Sequence, residues 1–179
     1  MDKEAARKIV EKSLAEFYAA RRRYPERLVI HKTSRYSQPE IQGFEEALSS
    51  LRIAYDLVSL TKAPLRLVRW GQYPVPRGAV YEFSESDAYL YTKGFVPDLQ
   101  TYPGNHIPSP FWVQRPRGDS SMKTICSELL MLTKLNWNTA DFCCGVPITL
   151  SFARNVGDVF KEFDEADQYE PSRFFRFYM

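Results

Sequence analysis

The sequence predicts an α/β fold, and three observations predict it. Helix and strand patterns alternate tightly over the first 59 residues. Two short, nearly continuous apolar runs, 27–31 and 53–59, have the character of strands buried in a parallel sheet. Helical periodicity returns in the last third, after a middle region of short strand patterns separated by turns.

Residues 3–22 read as an amphipathic helix with Val10, Leu14, Phe17 and Tyr18 on one face, closed by Tyr24-Pro25. The strand Arg27–His31 follows. Ser37 and Glu40 form a capping box, Pro39 suits a first helical turn, and Ile41, Phe44, Leu48 and Leu51 supply the core stripe of the next helix. Ile53–Ser59 is the second strand. Further strands are predicted at Leu65–Trp70, Ala79–Phe83, Ala88–Thr92 and Phe111–Arg115. Residues 73–78 and 102–105 are turn punctuation. Asp119 or Ser120 caps a third helix carrying Met122, Ile125, Leu129, Leu130 and Leu132. A polar loop with Asn136, Asn138 and Asp141 leads to Pro147, and a fourth helix runs to about residue 163. Residues 164–172 are acidic and loop-like; the last seven are aromatic and basic.

At 179 residues the chain can bury one core, so one domain or part of one is expected. An apolar fraction of 44% and a charged fraction of 26% are those of a folded globular protein. No apolar run approaches the ~20 residues that span a bilayer, and the charged first 30 residues are unlike a secretory signal. Three cysteines, two of them adjacent, make no disulfide framework and point to a reducing, cytoplasmic compartment. The net charge of +2 conceals a gradient. Residues 1–37 hold ten Lys/Arg against five Asp/Glu, while residues 141–179 hold four against seven. A partly cationic groove would explain this, and so would a solvated charged helix.

Familiar catalytic motifs are missing: there is no Walker loop, GxGxxG, HExxH or paired CxxC. His31, at a strand end, reads as a packed or loop-anchoring histidine. Cys143-Cys144 lacks metal-ligand spacing and reads as packing. Trp70, Trp112 and Trp137 sit near strand ends or loops, where they pack or stack on bases. The loop Thr133-Lys134-Leu135-Asn136-Trp137-Asn138 offers a charge and two amides suited to phosphate oxygens, although a helix-end capping loop would look the same.

Several features in order carry a resemblance. They are Phe17-Tyr18, Pro25 with the strand to Thr33, Gly43-Phe44, Tyr91-Thr92-Lys93-Gly94, the Leu132–Asn138 loop, Pro147, Phe152-Ala153-Arg154 and the aromatic carboxyl terminus. Over essentially its whole length the chain resembles the second half of the PIWI domain of a prokaryotic Argonaute, of the catalytically inactive long type. The resemblance implies a partial ribonuclease H-like fold lacking its first three strands. Residues 1–179 would then be the C-terminal part of one PIWI domain. The missing half would come from another chain or another part of the same protein. It would leave an open strand edge here, so the isolated chain is expected to be poorly stable or to associate.

In slicing relatives the loop after the first strand carries a metal-binding aspartate; Thr33 stands there. The family's last acid or histidine falls at Arg154. The family's glutamate would lie near Met1, and Glu4, on or before the helix, is not assigned to it. A hydroxyl and a guanidinium cannot hold Mg²⁺ as carboxylates do. The resemblance thus implies a protein that binds guide and target without cutting, in a role of prokaryotic defence. Guide RNA and target DNA are preferred, with a second polypeptide carrying the rest of the Argonaute and a separate effector as further partners, and no membrane. Its nucleic-acid-binding positions are Lys62, Arg66, Lys93, Lys134, Asn136 and Arg154, the four lysines and arginines among the first five lining one groove. The C-terminal carboxylate of Met179 would reach the guide 5′-phosphate pocket, with Mg²⁺ there and none in catalysis. The rival reading is an active, metal-dependent guided endonuclease whose acids come from the missing half, with Asp158 or Asp141 as substitute ligand. A structural interaction subunit is the third.

Overall fold

The structure, a computed structural model, describes residues 1–49, 51–67, 70, 75–99, 108–136, 138 and 140–162. The chain divides into two compact units. The first is Met1–Ala63 with Tyr81–Tyr89 and Phe111–Thr124; the second is Pro64–Val80 with Leu90–Pro110 and Ile125–Met179.

The first unit begins with α1 (Lys3–Arg21). Asp2 caps it by accepting the Ala5 N–H at 2.7 Å, and Arg22 ends it in the left-handed region at φ 58°. Its buried stripe is Ala6, Val10 and Leu14. Phe17 and Tyr18, predicted for that face, are exposed, and Tyr18 packs on Tyr24 with ring centroids 4.9 Å apart. The stripe faces α2 (Gln38–Ser49), which contributes Ile41, Phe44, Ala47 and Leu48. The helices come so close that a Cβ at Gly43 would collide with the Lys3 carbonyl. Each large apolar side chain buried here stabilises the unit by ~2 kcal/mol.

β1 (Arg27–Lys32) and β2 (Ala54–Lys62) pair in parallel, as the two apolar runs predict. β3 (Val80–Glu82), β4 (Asp87–Leu90) and β5 (Phe111–Gly118) complete a sheet of order β1-β2-β5-β4-β3, with β5 antiparallel to β2. β2 is buried from Asp56 to Leu60 because it is central. β1 is half-buried throughout, less than its apolar run predicts, because it lies at the sheet edge. The register of β5 slips between Leu57 and Ser59, where Arg115 and Pro116 oppose Val58. A proline, with no N–H to give the ladder, suits that bulge. The strand expected at Leu65–Trp70 does not form over 65–67; Pro64 follows the end of β2 and removes a donor where pairing would continue.

In the second unit the buried side chains include Val75, Leu90, Tyr91, Val96, Ile125, Cys126, Leu129, Cys143 and Leu150. α3 (Met122–Leu132) is capped by Ser121, whose Oγ accepts the Thr124 N–H at 3.1 Å. Ser120, one of the predicted caps, instead hydrogen-bonds Asp56. α4 (Ile148–Lys161) starts after Pro147, close to its predicted bounds. Among the described residues no helix is long and apolar enough to cross a membrane.

Candidate nucleic-acid interface

The second unit gathers three of the predicted contact residues around one loop, 142–145. The segment 75–78 is held against 91–95 by paired backbone bonds: Arg77 N–H to Phe95 O, Phe95 N–H to Val75 O and Gly78 N–H to Tyr91 O, all 2.8–2.9 Å. Gly94 is required there, since a Cβ would strike the Val75 carbonyl and the Arg77 nitrogen. This fixes Arg77, which donates to Thr133 Oγ1 at 2.6 Å, to the Leu130 carbonyl at 3.1 Å and to Cys143 Sγ at 3.1 Å. One guanidinium thereby ties a strand-like turn, the end of α3 and the loop. Thr92 Oγ1 donates to the Gly145 carbonyl at 2.6 Å, and the Cys144 N–H donates to the Thr133 carbonyl at 2.8 Å.

The predicted residues lie on the outside of this knot. The Lys93 stem runs against Gly145, where any Cβ would meet Lys93 Cε. Lys134 Nζ stands 4.6 Å from the Phe142 ring centroid, and both ammonium-bearing residues are exposed. Half-buried Asn136 donates from Nδ2 to Cys144 Sγ at 3.2 Å and accepts the Asn138 N–H, which orients its amide. Two cations and one fixed amide beside a rigid backbone loop are suited to phosphate oxygens. The adjacent cysteines pack and accept hydrogen bonds, in keeping with the reading of them as packing residues.

Arg66 is exposed in the segment after β2. Arg154 is exposed on α4, where its charge helps hold the Asp158 carboxyl below its usual range, after the larger effect of Lys161 at 2.7 Å. Asp158 is thus engaged with cations. Lys62 belongs to the first unit, exposed at the end of β2 opposite Phe111. Met179, Trp137 and the tail 163–179 lie outside the described residues.

Thr33 is exposed in the first unit, directly after β1. Its neighbour Lys32 turns inward to Glu40, which is 2% exposed. Burial raises the Glu40 carboxyl, but the Lys32 ammonium at 2.5 Å and the Ser37 N–H and Oγ outweigh it and bring it to about 2. The capping box seen in the sequence therefore doubles as a buried ion pair. The other buried acid, Asp56, receives Arg27 at 2.7 Å and Ser120 Oγ at 2.6 Å. Those partners overcome desolvation and lower its pKa. Both acids are committed to structure. Among the described residues no group of three His, Cys, Asp or Glu could hold a metal ion, and a hydroxyl at 33 and a guanidinium at 154 do not fit one.

Sequence reasoning missed Arg77. Its one signal was a charged residue wedged between Pro76 and Gly78, and Gly78 adopts φ 87°. It also missed Asp87, whose carboxylate collects the Trp112 Nε1–H, the Gln114 amide and the Ser84 and Ser86 hydroxyls.

No family model and no curated protein matches the chain. Among solved structures it is similar to Clostridium butyricum Argonaute bound to a guide DNA and a 19-mer target DNA. The TM-score is 0.69 at 20% identity, over 86% of this chain and 20% of that one. It is also similar to A. aeolicus Argonaute, at TM-score 0.65 and 21% identity over 89% of this chain and 23% of that one. The likeness to Aa-Ago with externally bound siRNA is of the same order, at 0.65 and 21% over 88% and 22%. The chain spans about a fifth of the length of these proteins. It has an α/β fold shared with part of prokaryotic Argonautes, as the resemblance implied.

Proposed function

We propose that this chain is the PIWI part of a catalytically inactive prokaryotic Argonaute, gripping a short guide strand and its complementary target without cutting. The observation that carries the reading is the fold, shared over most of the chain with an Argonaute bound to guide and target. Sequence would be read by base pairing, and the protein would hold backbone, as in other guided systems. The knot supports this: Lys93, Lys134 and Asn136 are positioned by a loop fixed by Arg77. Thr33 and Arg154, in place of acids, support inactivity. The residues at those positions do not fit a catalytic metal. A 5′-phosphate pocket completed by Met179, with Mg²⁺, remains part of the proposal.

The neighbours carry DNA guides and targets in one case and siRNA in another. RNA guide with DNA target is our preference, from the resemblance to inactive long Argonautes. The rest of the Argonaute, supplied by another chain or another part of the same protein, and a separate effector complete the proposed assembly. The test is to purify the protein and sequence the small nucleic acids that copurify. Short 5′-phosphorylated species are expected. Recovery of none, with no affinity for 5′-phosphorylated oligonucleotides, would remove the reading. A guided cleavage assay with Mg²⁺ and Mn²⁺ separates binder from nuclease: cleavage that disappears in Asp158→Ala would establish the enzyme instead.

A further inference from the structure

The first unit presents a second surface that the guide reading does not use. Four aromatic rings from three adjacent strands and the turn after β3 cluster around Phe83. Tyr81 and Phe83 stack at 6.3 Å and 25°, Phe83 meets Tyr89 at 4.8 Å, and both Phe83 and Tyr89 meet Trp112 at 6.4 Å. Two of the rings are open, Tyr81 at 56% and Phe83 at 43% exposed. The Arg35 guanidinium sits 5.0 Å above Trp112.

Beside Trp112 is an open cavity of about 310 Å³, lined among others by Arg35, Tyr36, Ser59, Asp87, Gln114 and Arg115. Two polar atoms of its lining residues, Gln114 Oε1 and Arg115 Nε, are buried with no hydrogen-bond partner among the described residues. Asp87 holds the walls rigid, since four side-chain donors converge on its carboxylate and keep its pKa low against the cost of burial. The flanking charge is positive. Arg35 and Arg115 line the cavity. Glu82 alternates to the other face of its strand, and exposed Glu85 sits in the turn before Asp87.

From these features we infer a binding site for unpaired nucleotides of a single strand. Bases stack on Tyr81 and Phe83, Arg35 takes the phosphates, and a base edge enters the cavity beside Trp112. Open aromatic faces suit bases of any identity, and flanking cations suit the backbone that joins them. A protein partner or a second copy would cover the rings but would not call for the cations. The inference deepens the proposed nucleic-acid reading and rests on it, with a site distinct from the loop of the second unit.

The experiment measures, by fluorescence anisotropy, the affinity of the full chain for a labelled 10-mer single strand and for an abasic strand of equal length. It is repeated with Tyr81→Leu and Phe83→Leu, both shown folded by circular dichroism. The intact strand is expected to bind about tenfold or more tighter than the abasic one, with either variant closing most of that gap and leaving abasic binding unchanged. Equal affinity for the two strands, or a gap that survives both variants, overturns the platform and leaves the backbone-gripping reading standing. Binding of neither strand overturns both. Self-association that Phe83→Leu abolishes, with no preference for the intact strand, assigns the face to a second copy and likewise overturns the proposal.

Discussion

The two units treat charge in opposite ways. In the first, the acids Glu40 and Asp56 are almost fully buried, each with a partner cation and serine donors, and they hold helices and strands together. In the second, the tie is a single half-buried arginine acting on neutral acceptors, a hydroxyl, a carbonyl and a thiol, while Lys93 and Lys134 stay outside. A charge therefore says little about function until its neighbours are known. Where an acid is enclosed with it, a cation is structural. Where it is propped on an aromatic ring or a glycine and left in water, it is available to a ligand.

The largest effect should come from breaking a buried pair. Arg27→Met leaves the Asp56 carboxylate enclosed with Ser120 alone, and removing one partner of a buried pair costs about 3–5 kcal/mol. Urea denaturation should show a loss of that order; a loss under ~1 kcal/mol would mean the pair is effectively solvated and the contrast between units is false.

Acid should expose the same feature by another route. The Glu40 carboxyl is held at about 2 against an ordinary value of 4.5. Its folded value is depressed, so its contribution is full above pH 4.5 and is lost as pH falls toward 2. The amount at stake is ~3 kcal/mol. Stability measured from pH 6 to pH 2 should fall in this interval, and Glu40→Gln should flatten that limb of the curve.

Next in size is the knot of the second unit. Arg77→Met removes three hydrogen bonds and leaves Thr133, 1% exposed, without its donor. A loss of about 2 kcal/mol is expected. It should come with faster hydrogen exchange at the Cys144 amide, which bonds the Thr133 carbonyl. Unchanged exchange there would show that the loop is held by something else.

How much of this was legible follows from the range of the interactions. The capping box Ser37–Glu40 and the parallel pair could be read because they rest on local spacing and apolar runs. That Glu40 would also meet Lys32, or Asp56 meet Ser120 some 64 residues on, could not be read, since neither separation has a periodicity. The open edge, at β1, was expected from the resemblance and not from the strand itself, since an apolar strand looks the same at an edge as at a centre. Lys93, Lys134 and Asn136 were named from the resemblance, but the residue that assembles them, Arg77, lay in a turn where only its proline and glycine neighbours drew notice.

The smallest effect on stability should carry the largest functional information. Lys93 and Lys134 are exposed, with no carboxylate partner among the described residues. Lys93→Ala and Lys134→Ala should each change folding stability by under ~0.5 kcal/mol, as surface substitutions usually do. If these ammoniums meet phosphates, each substitution should nonetheless weaken guide binding alike for every sequence and reduce the slope of log affinity against log salt by about one unit. Lys32→Ala supplies the contrast. It should lower stability through the unpaired Glu40 and leave the salt slope of the remaining folded protein unchanged. Titrating all three variants with one 5′-phosphorylated oligonucleotide at several salt concentrations distinguishes them. Equal slopes throughout would mean that Lys93 and Lys134 are solvated charges like any others, and that the second unit has no more to do with phosphate than the first.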